Sequence, residues 1–221
     1  MQSILPFDEL NSFTEKLRGM FPDGRLQTGG EAKQEEEDII DEMLDLFLLA
    51  YATGNTVTNA NLSFDWNPTV DDATAVVNKE VAGKTWRTRV EEYFSKARNG
   101  EIPITSTATG EQPSGKVGLQ GQDTGSGQVN LTDAIIRIAE TETHRIANTS
   151  ALDTATRAGA RTKTWVTMLD DRVRETHDYL EGMTVGVKED FYTFDGDHAS
   201  APGLFSLPEN NINCRCELVF S

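Results

Sequence analysis

Three side chains of the C-terminal third have the types and spacing for metal or acid–base chemistry: His177 and the pair Cys214 and Cys216. Zinc takes cysteine thiolates and histidine nitrogens in tetrahedral sets, so one histidine with a Cys-x-Cys pair supplies three ligands, leaving His144 or His198 to complete the site. Cys-x-Cys is not the usual Cys-x-x-Cys spacing, and no residue fixes the fourth position. The reading expected from the sequence is therefore core thiols packed near a hydrogen-bonded histidine, without a cofactor. A disulfide is ruled out by reach, since residues two apart on a strand face the same way about 7 Å from one another. For catalysis, His177 has Glu142 or Asp178 as acid–base companions. No Gly-rich phosphate loop, Gly-x-Ser-x-Gly elbow or His-Glu-x-x-His occurs, and the Gly-rich run at 115–127 lacks the flanking strand and Lys-Ser/Thr. The expectation is a protein that is not an enzyme.

The remaining polar residues of this region read as structural. Asp170 stands at a helix start, both a cap and a candidate ion partner. Arg172 and Arg174 point in different directions from that helix, so each needs its own carboxylate or carbonyl. Glu142, on the apolar side of a long helix, is expected to pair with one of these arginines or with Arg215. Together with His177 they would form a buried polar network joining helix, sheet and tail. Trp165 is expected to anchor the core from an alternating strand.

Periodicity supplies the elements that position these groups. Leu10, Phe13, Leu17 and Met20 mark a helix over 8–20, closed by Phe21-Pro22-Asp23-Gly24. After a linker through Gly29 and Gly30, a second helix opens at Glu35 to Asp38 and ends at Gly54-Asn55. Its wide apolar stripe includes Ile39, Met43, Phe47 and Tyr51. A third helix fits 71–98, with Trp86 on its buried side. This helical arm, residues 1–100, reads first as an intramolecular helical bundle, with docking against another protein through Ile39, Met43, Phe47, Tyr51 and Trp86 as the sharper alternative. Residues 101–128 have the Gly, Ser and Thr content of a flexible linker. A long helix then runs from Leu131 to about Ala158, with Gly159 behind it. Residues 162–168, 183–187, 191–194 and 212–220 read as strands, and 171–180 as a short helix. The fold class is α+β, with a helical arm followed by a long helix packed on a small, mostly antiparallel sheet spanning 129–221.

The formal charge of −16 is distributed as −8 over residues 1–60, −2 over 61–128 and −6 over 129–221. Phosphate neutralisation needs a basic face, and no segment supplies one, so specific nucleic-acid binding is not expected. The densest basic cluster, Lys84 to Arg98, is interleaved with Glu91 and Glu92 as on a solvated helix face. Neither a secretory leader nor a membrane span is apparent, and synthesis in the cytoplasm is expected.

The ordered set Thr141-Glu142, Lys163-Thr164-Trp165, Asp170-Asp171-Arg172-Val173-Arg174-Glu175-Thr176-His177, Leu180-Glu181-Gly182, Phe191, Pro202, Pro208 and Asn213-Cys214-Arg215-Cys216 resembles the phage Mu F-like minor head proteins. The resemblance covers roughly residues 130–221. It implies a virion component inside the head near the portal protein, present in the host cytoplasm during assembly and supporting head morphogenesis or genome ejection. Scaffolding or major capsid protein would be further partners. Two other readings stay open: a small metal- or histidine-dependent enzyme or effector of nuclease or toxin type, and an assembly factor absent from mature virions.

Overall fold

The computed structural model describes residues 3–21, 23–26, 30–105 and 129–221. In chain order the elements are α1 (Phe7–Met20), α2 (Gly30–Leu62), α3 (Val70–Val77), α4 (Trp86–Arg98), α5 (Leu131–Arg157), β1 (Thr162–Val166), α6 (Glu175–Asp178), β2 (Thr184–Gly186), β3 (Phe191–Tyr192), β4 (His198–Ala199), α7 (Pro208–Asn211) and β5 (Glu217–Phe220). The architecture is α+β, with the helices first and the strands last. Most of the expected linker, residues 106–128, lies outside the described residues, as do Pro22 and Gly29.

The chain groups into two compact units, each assembled from separated stretches. One comprises Met1–Pro6, Phe47–Lys79 and Thr141–Ser221; the other comprises Phe7–Leu46 and Glu80–Glu140. A division at the linker, into 1–100 and 129–221, is not the division of these units, because α2 and α5 each supply residues to both.

In the second of these units, Leu10, Phe13 and Leu17 of α1 are buried, as are Ile39, Ile40 and Met43 of α2 and Trp86, Val90 and Phe94 of α4. Lys16 bonds Glu42 at 2.5 Å on the exposed side, and Arg98 pairs with the buried Glu36. The start of α5 is capped by Asn130, which accepts the Asp133 N–H at 2.9 Å and donates to the Asp133 carboxylate at 2.7 Å.

Two helix boundaries differ from expectation for identifiable reasons. First, α2 does not stop at Gly54-Asn55. Gly54 lies against α5, where a Cβ would stand 2.4 Å from the Ala147 carbonyl oxygen, and Asn55 donates to Thr154 Oγ1 at 3.0 Å and to the Trp66 carbonyl at 3.1 Å. Both residues make helix-to-helix contact instead of ending a helix. Second, 71–98 is two helices. Thr69 and Asp72 close a capping box on α3, while Thr85 caps α4 by accepting the Thr88 N–H at 3.2 Å. Ahead of α4, Ala82 and Gly83 take positive φ values of 52° and 76° in a tight turn whose flanking residues, Val81 and Lys84, pair with each other.

The unit containing the tail is built around β1, which pairs antiparallel with β2 on one side and β5 on the other. Trp165 stands opposite Leu218, and the hydroxyls of Thr164 and Thr184 meet at 2.7 Å. A separate two-stranded ladder joins β3 to β4, the latter not among the expected strands. The buried face of β1 carries Lys163 and Trp165, and the core it covers includes Leu180, Phe191, Phe205, Cys214, Cys216 and Leu218.

The close approach at Gly54 yields a test. Glycine to alanine in an exposed helix stabilises by up to about 1 kcal/mol. Gly54→Ala should do the opposite, destabilising the full chain by about 1–3 kcal/mol in denaturant unfolding, because the backbone carbonyl of Ala147 must move.

Candidate functional site

The region between β1 and β2 is shaped by turns. Leu169 adopts φ 52°, the Val173 N–H donates to the Asp170 carbonyl at 3.1 Å, and the Asp170 carboxylate accepts the Arg172 N–H at 3.2 Å. The expected helix 171–180 therefore shortens to α6, and Arg172 and Arg174 both precede it. Arg174 donates to the carbonyls of Glu209, at 2.5 Å, and Ile212. Arg215 forks onto Asp170 at 2.6 and 2.8 Å, and Arg172 reaches the same carboxylate at 3.4 Å. The Arg215 guanidinium, aided by the Arg172 N–H, holds the Asp170 carboxyl at about 2 against the effect of burial.

The single network expected from the sequence is thus several separate clamps. Glu142 pairs with Arg145, one helical turn away at 2.7 Å, with both side chains 1% exposed. Arg172, Arg174 and Arg215 have the partners just described. The i,i+3 spacing of Glu142 and Arg145 was the signal available for this pair. Arg145 also donates to the carbonyl of Val76 at 3.0 Å, and the backbone of Gly203 lies so close that a Cβ there would be 2.9 Å from the Arg145 Cα.

His177, Cys214 and Cys216 do come together, all three buried. Each sulfur lies 3.5 Å from His177 Nδ1. The cysteines precede β5 and do not belong to it. Asn213 takes φ 57°, and the Cys214 N–H donates to the Asn211 carbonyl at 3.1 Å, turning both thiols toward the histidine. The His177 ring is held between Phe205, stacked at 5.4 Å, and Trp165, edge-on at 5.3 Å. Trp165 also meets Phe191 edge-on at 5.2 Å. A hydrogen bond from Cys216 pulls the Cys214 thiol well below its ordinary pKa despite burial, with His177 adding to the effect; the same bond holds the proton on Cys216 and pushes that thiol up. A cleft lined by these three residues with Met168, Arg174 and Asn213 opens beside them. Neither of the other histidines joins the cluster. His198 is exposed, 2.9 Å from Asp190, and His144 is buried in α5, which drives its pKa down to about 4.

Sequence reasoning missed a second polar centre. The Asp197 carboxylate accepts from the N–H groups of His198, Ser206 and Leu207, the Ser206 hydroxyl and the Asn210 amide, at 2.7 to 3.1 Å. Burial alone would raise its pKa, but the bonds from Asn210, Ser206 and Leu207 outweigh it and hold the group at about 2. Asn211 bonds both the N–H and the carbonyl of Phe205, at 2.9 and 2.6 Å. Lys163, buried beneath the sheet, donates to the Ser200 carbonyl at 2.7 Å, and burial lowers its pKa.

The proposed docking side chains Ile39, Met43, Phe47, Tyr51 and Trp86 are all buried, none more than 2% exposed, so they form core and not a free face. The stripe is wide because its helix is covered on several sides. Among the described residues, the large apolar side chains more than half exposed are Val70, Leu169, Tyr179, Tyr192 and Phe194.

A long buried helix, a three-stranded antiparallel sheet and a Cys-x-Cys tail folded onto a histidine are carried by a stretch that matches a known family. Residues 122–219 match the family described as Phage Mu protein F like protein. The chain is 32% identical over 96 residues to the minor head protein GP7 of Bacillus phage SPP1, a match covering 42% of this chain and 31% of that protein. It is 33% identical over 88 residues to the NAD(+)--arginine ADP-ribosyltransferase EFV of Enterococcus faecalis, covering 38% of this chain and 18% of that enzyme. The matches thus span less than a third of either relative. No solved structure matches the chain.

Two measurements follow from these clamps. Arg145→Met leaves the Glu142 carboxylate buried without its arginine and should cost about 3–5 kcal/mol, whereas Glu142→Leu with Arg145→Met should cost less than Arg145→Met alone. For Asp197, a folded pKa of about 2 lies below the ordinary 3.8, so its contribution is fully present above about pH 4 and is lost as pH falls through 2. Thermal midpoints of the full chain should decline over that window, and Asp197→Asn should flatten the decline.

Proposed function

We propose that this chain is a bacteriophage minor head protein, made in the host cytoplasm, incorporated during head morphogenesis and retained in the virion near the portal, where it supports head assembly or genome ejection. The observation that carries this reading is the 96-residue likeness to a minor head protein, together with the family match over 122–219, the stretch that holds the ordered motifs from Thr141 to Cys216. The physical properties are compatible with it. The net charge of −16 disfavours gripping packaged DNA. Among the described residues no helix is long and apolar enough to cross a membrane. The portal protein is the proposed partner, with scaffolding or major capsid protein as further contacts.

The likeness to an ADP-ribosyltransferase raises a second reading. Because the match takes in only 18% of that enzyme, the likeness by itself does not carry its transfer chemistry to this chain. The polar side chains Asp170, Arg174, Arg215 and Asp197 are committed to internal bonds, which also fits a non-catalytic segment.

Mass spectrometry of purified mature virions should detect the chain in low copy. Its presence in proheads and loss from mature particles would replace the resident role with that of a transient assembly factor. Incubated with NAD+ and a small guanidine acceptor, the purified chain should release no nicotinamide above background; turnover would overturn the non-enzyme reading.

A further inference from the structure

We propose that His177 Nδ1, Cys214 Sγ and Cys216 Sγ hold a zinc ion, with a water molecule from the adjoining cleft as the fourth ligand. The distances carry the argument. Zinc–sulfur and zinc–nitrogen bonds of about 2.3 and 2.0–2.1 Å at a tetrahedral angle place sulfur and nitrogen about 3.5 Å apart. Both sulfurs lie 3.5 Å from the same nitrogen, and all three ligand atoms fall within 4.8 Å of one another. The hydrogen bond between Cys216 and Cys214 accounts for the nearness of the two sulfurs, but not for their equal approach to one ring nitrogen. Nδ1 has one in-plane lone pair or one hydrogen, enough to serve one thiol well and not two at equal distance.

Local backbone answers the objection from spacing. Cys-x-Cys on a regular strand would hold its side chains parallel, but Asn213 in the left-handed region and the Cys214-to-Asn211 bond place both thiols beside one ring nitrogen before any metal arrives. Asn211 is itself fixed by its two bonds to Phe205, whose ring stacks on His177. The ligand set is pre-positioned by packing. Charge also fits the burial: zinc with two thiolates and a neutral imidazole is neutral overall, so little net charge is placed in the interior. On binding, each thiol gives up its proton to solvent, two in all, and the imidazole keeps one on Nε2. Arg174 and Arg215 beside the cleft are already bonded to carbonyls and to Asp170, so neither needs the thiolates as a counterion. Neither His144 nor His198 belongs to the cluster, and the cleft that the three ligand residues line together with Met168 and Asn213 is the place from which a water would complete the set.

The test uses the full chain, purified under reducing conditions from zinc-supplemented culture and desalted. Elemental analysis should find about one zinc per chain. Cobalt replacement should produce a near-ultraviolet thiolate-to-metal charge-transfer band with tetrahedral d–d absorption. Cys214→Ser, Cys216→Ser and His177→Ala should each lose the metal, while His144→Ala and His198→Ala keep it. Absence of both zinc and the cobalt charge-transfer band from the wild-type chain overturns the proposal, as does zinc that persists in the double variant Cys214→Ser/Cys216→Ser. Should those variants fail to fold, the wild-type cobalt spectrum decides alone: bound cobalt without thiolate charge transfer excludes this site.

Discussion

Burying a polar helix is unfavourable unless its donors and acceptors are met, and the part of α5 from Thr141 onward turns Glu142, Arg145, Asn148, Ser150 and Thr154 inward, all but inaccessible to water. Much of the surrounding unit is disposed to meet them. Arg145 neutralises Glu142 and reaches the C-terminal carbonyls of α3. Ser150 donates to the Tyr51 carbonyl on α2 at 2.7 Å, Thr154 accepts from Asn55, and Asn148 donates to the Cys216 carbonyl at 3.1 Å. Small residues at the crossings let these short side chains reach. Gly54 meets the Ala147 carbonyl, and Gly203 lies on Arg145. With larger residues there, the backbones would separate and the serine and threonine bonds would lengthen beyond use.

The tail follows a related logic with less regular structure. Its strands are two to five residues long, too short for ladder hydrogen bonds to organise the loops between them. Side chains take over that work. Asp197 gathers three backbone N–H groups, Asn211 closes a ring on Phe205, Arg174 ties two carbonyls near α7, and Lys163 tethers the loop at Ser200. Aromatic rings fill the space left over, with Trp165 touching Phe191, His177 and Phe205. Order in this region depends on buried charged and amide groups, so it is sensitive to the protonation of Asp197 in a way that a purely apolar core would not be.

Much of this was legible in the sequence where one period ran uninterrupted. The spacing of Leu10, Phe13 and Leu17 located α1, Gly159 marked the end of α5, and the alternation from Thr162 placed Trp165 on the buried face of β1. Errors clustered where one residue type serves two purposes. Gly54 reads as a stop signal when considered locally and as a close contact only once α5 lies beside it. The apolar stripe on α2 has the same residues whether covered by its own chain or by a partner. Glu142 is expected from the sequence to meet Arg172, Arg174 or Arg215, and that expectation passes over its actual partner, the i,i+3 neighbour Arg145 on its own helix. Asp197 was invisible because no periodicity leads to a carboxylate that bonds loop N–H groups.

The likeness to known proteins and the compactness of the molecule draw different boundaries, and the difference has a physical consequence. The matched stretch is 122–219, yet the unit that contains its sheet also includes Phe47–Lys79. Ser150 and Arg145 lie inside the match, while the Tyr51 and Val76 carbonyls that receive their hydrogen bonds lie outside it. A fragment beginning at residue 129 would therefore expose the face of α5 that Gly54 covers and leave a buried arginine and serine short of acceptors. The 47–79 stretch is in this sense part of the tail unit's own interior, and any chain that carries the segment needs this or another surface to cover that face of the long helix.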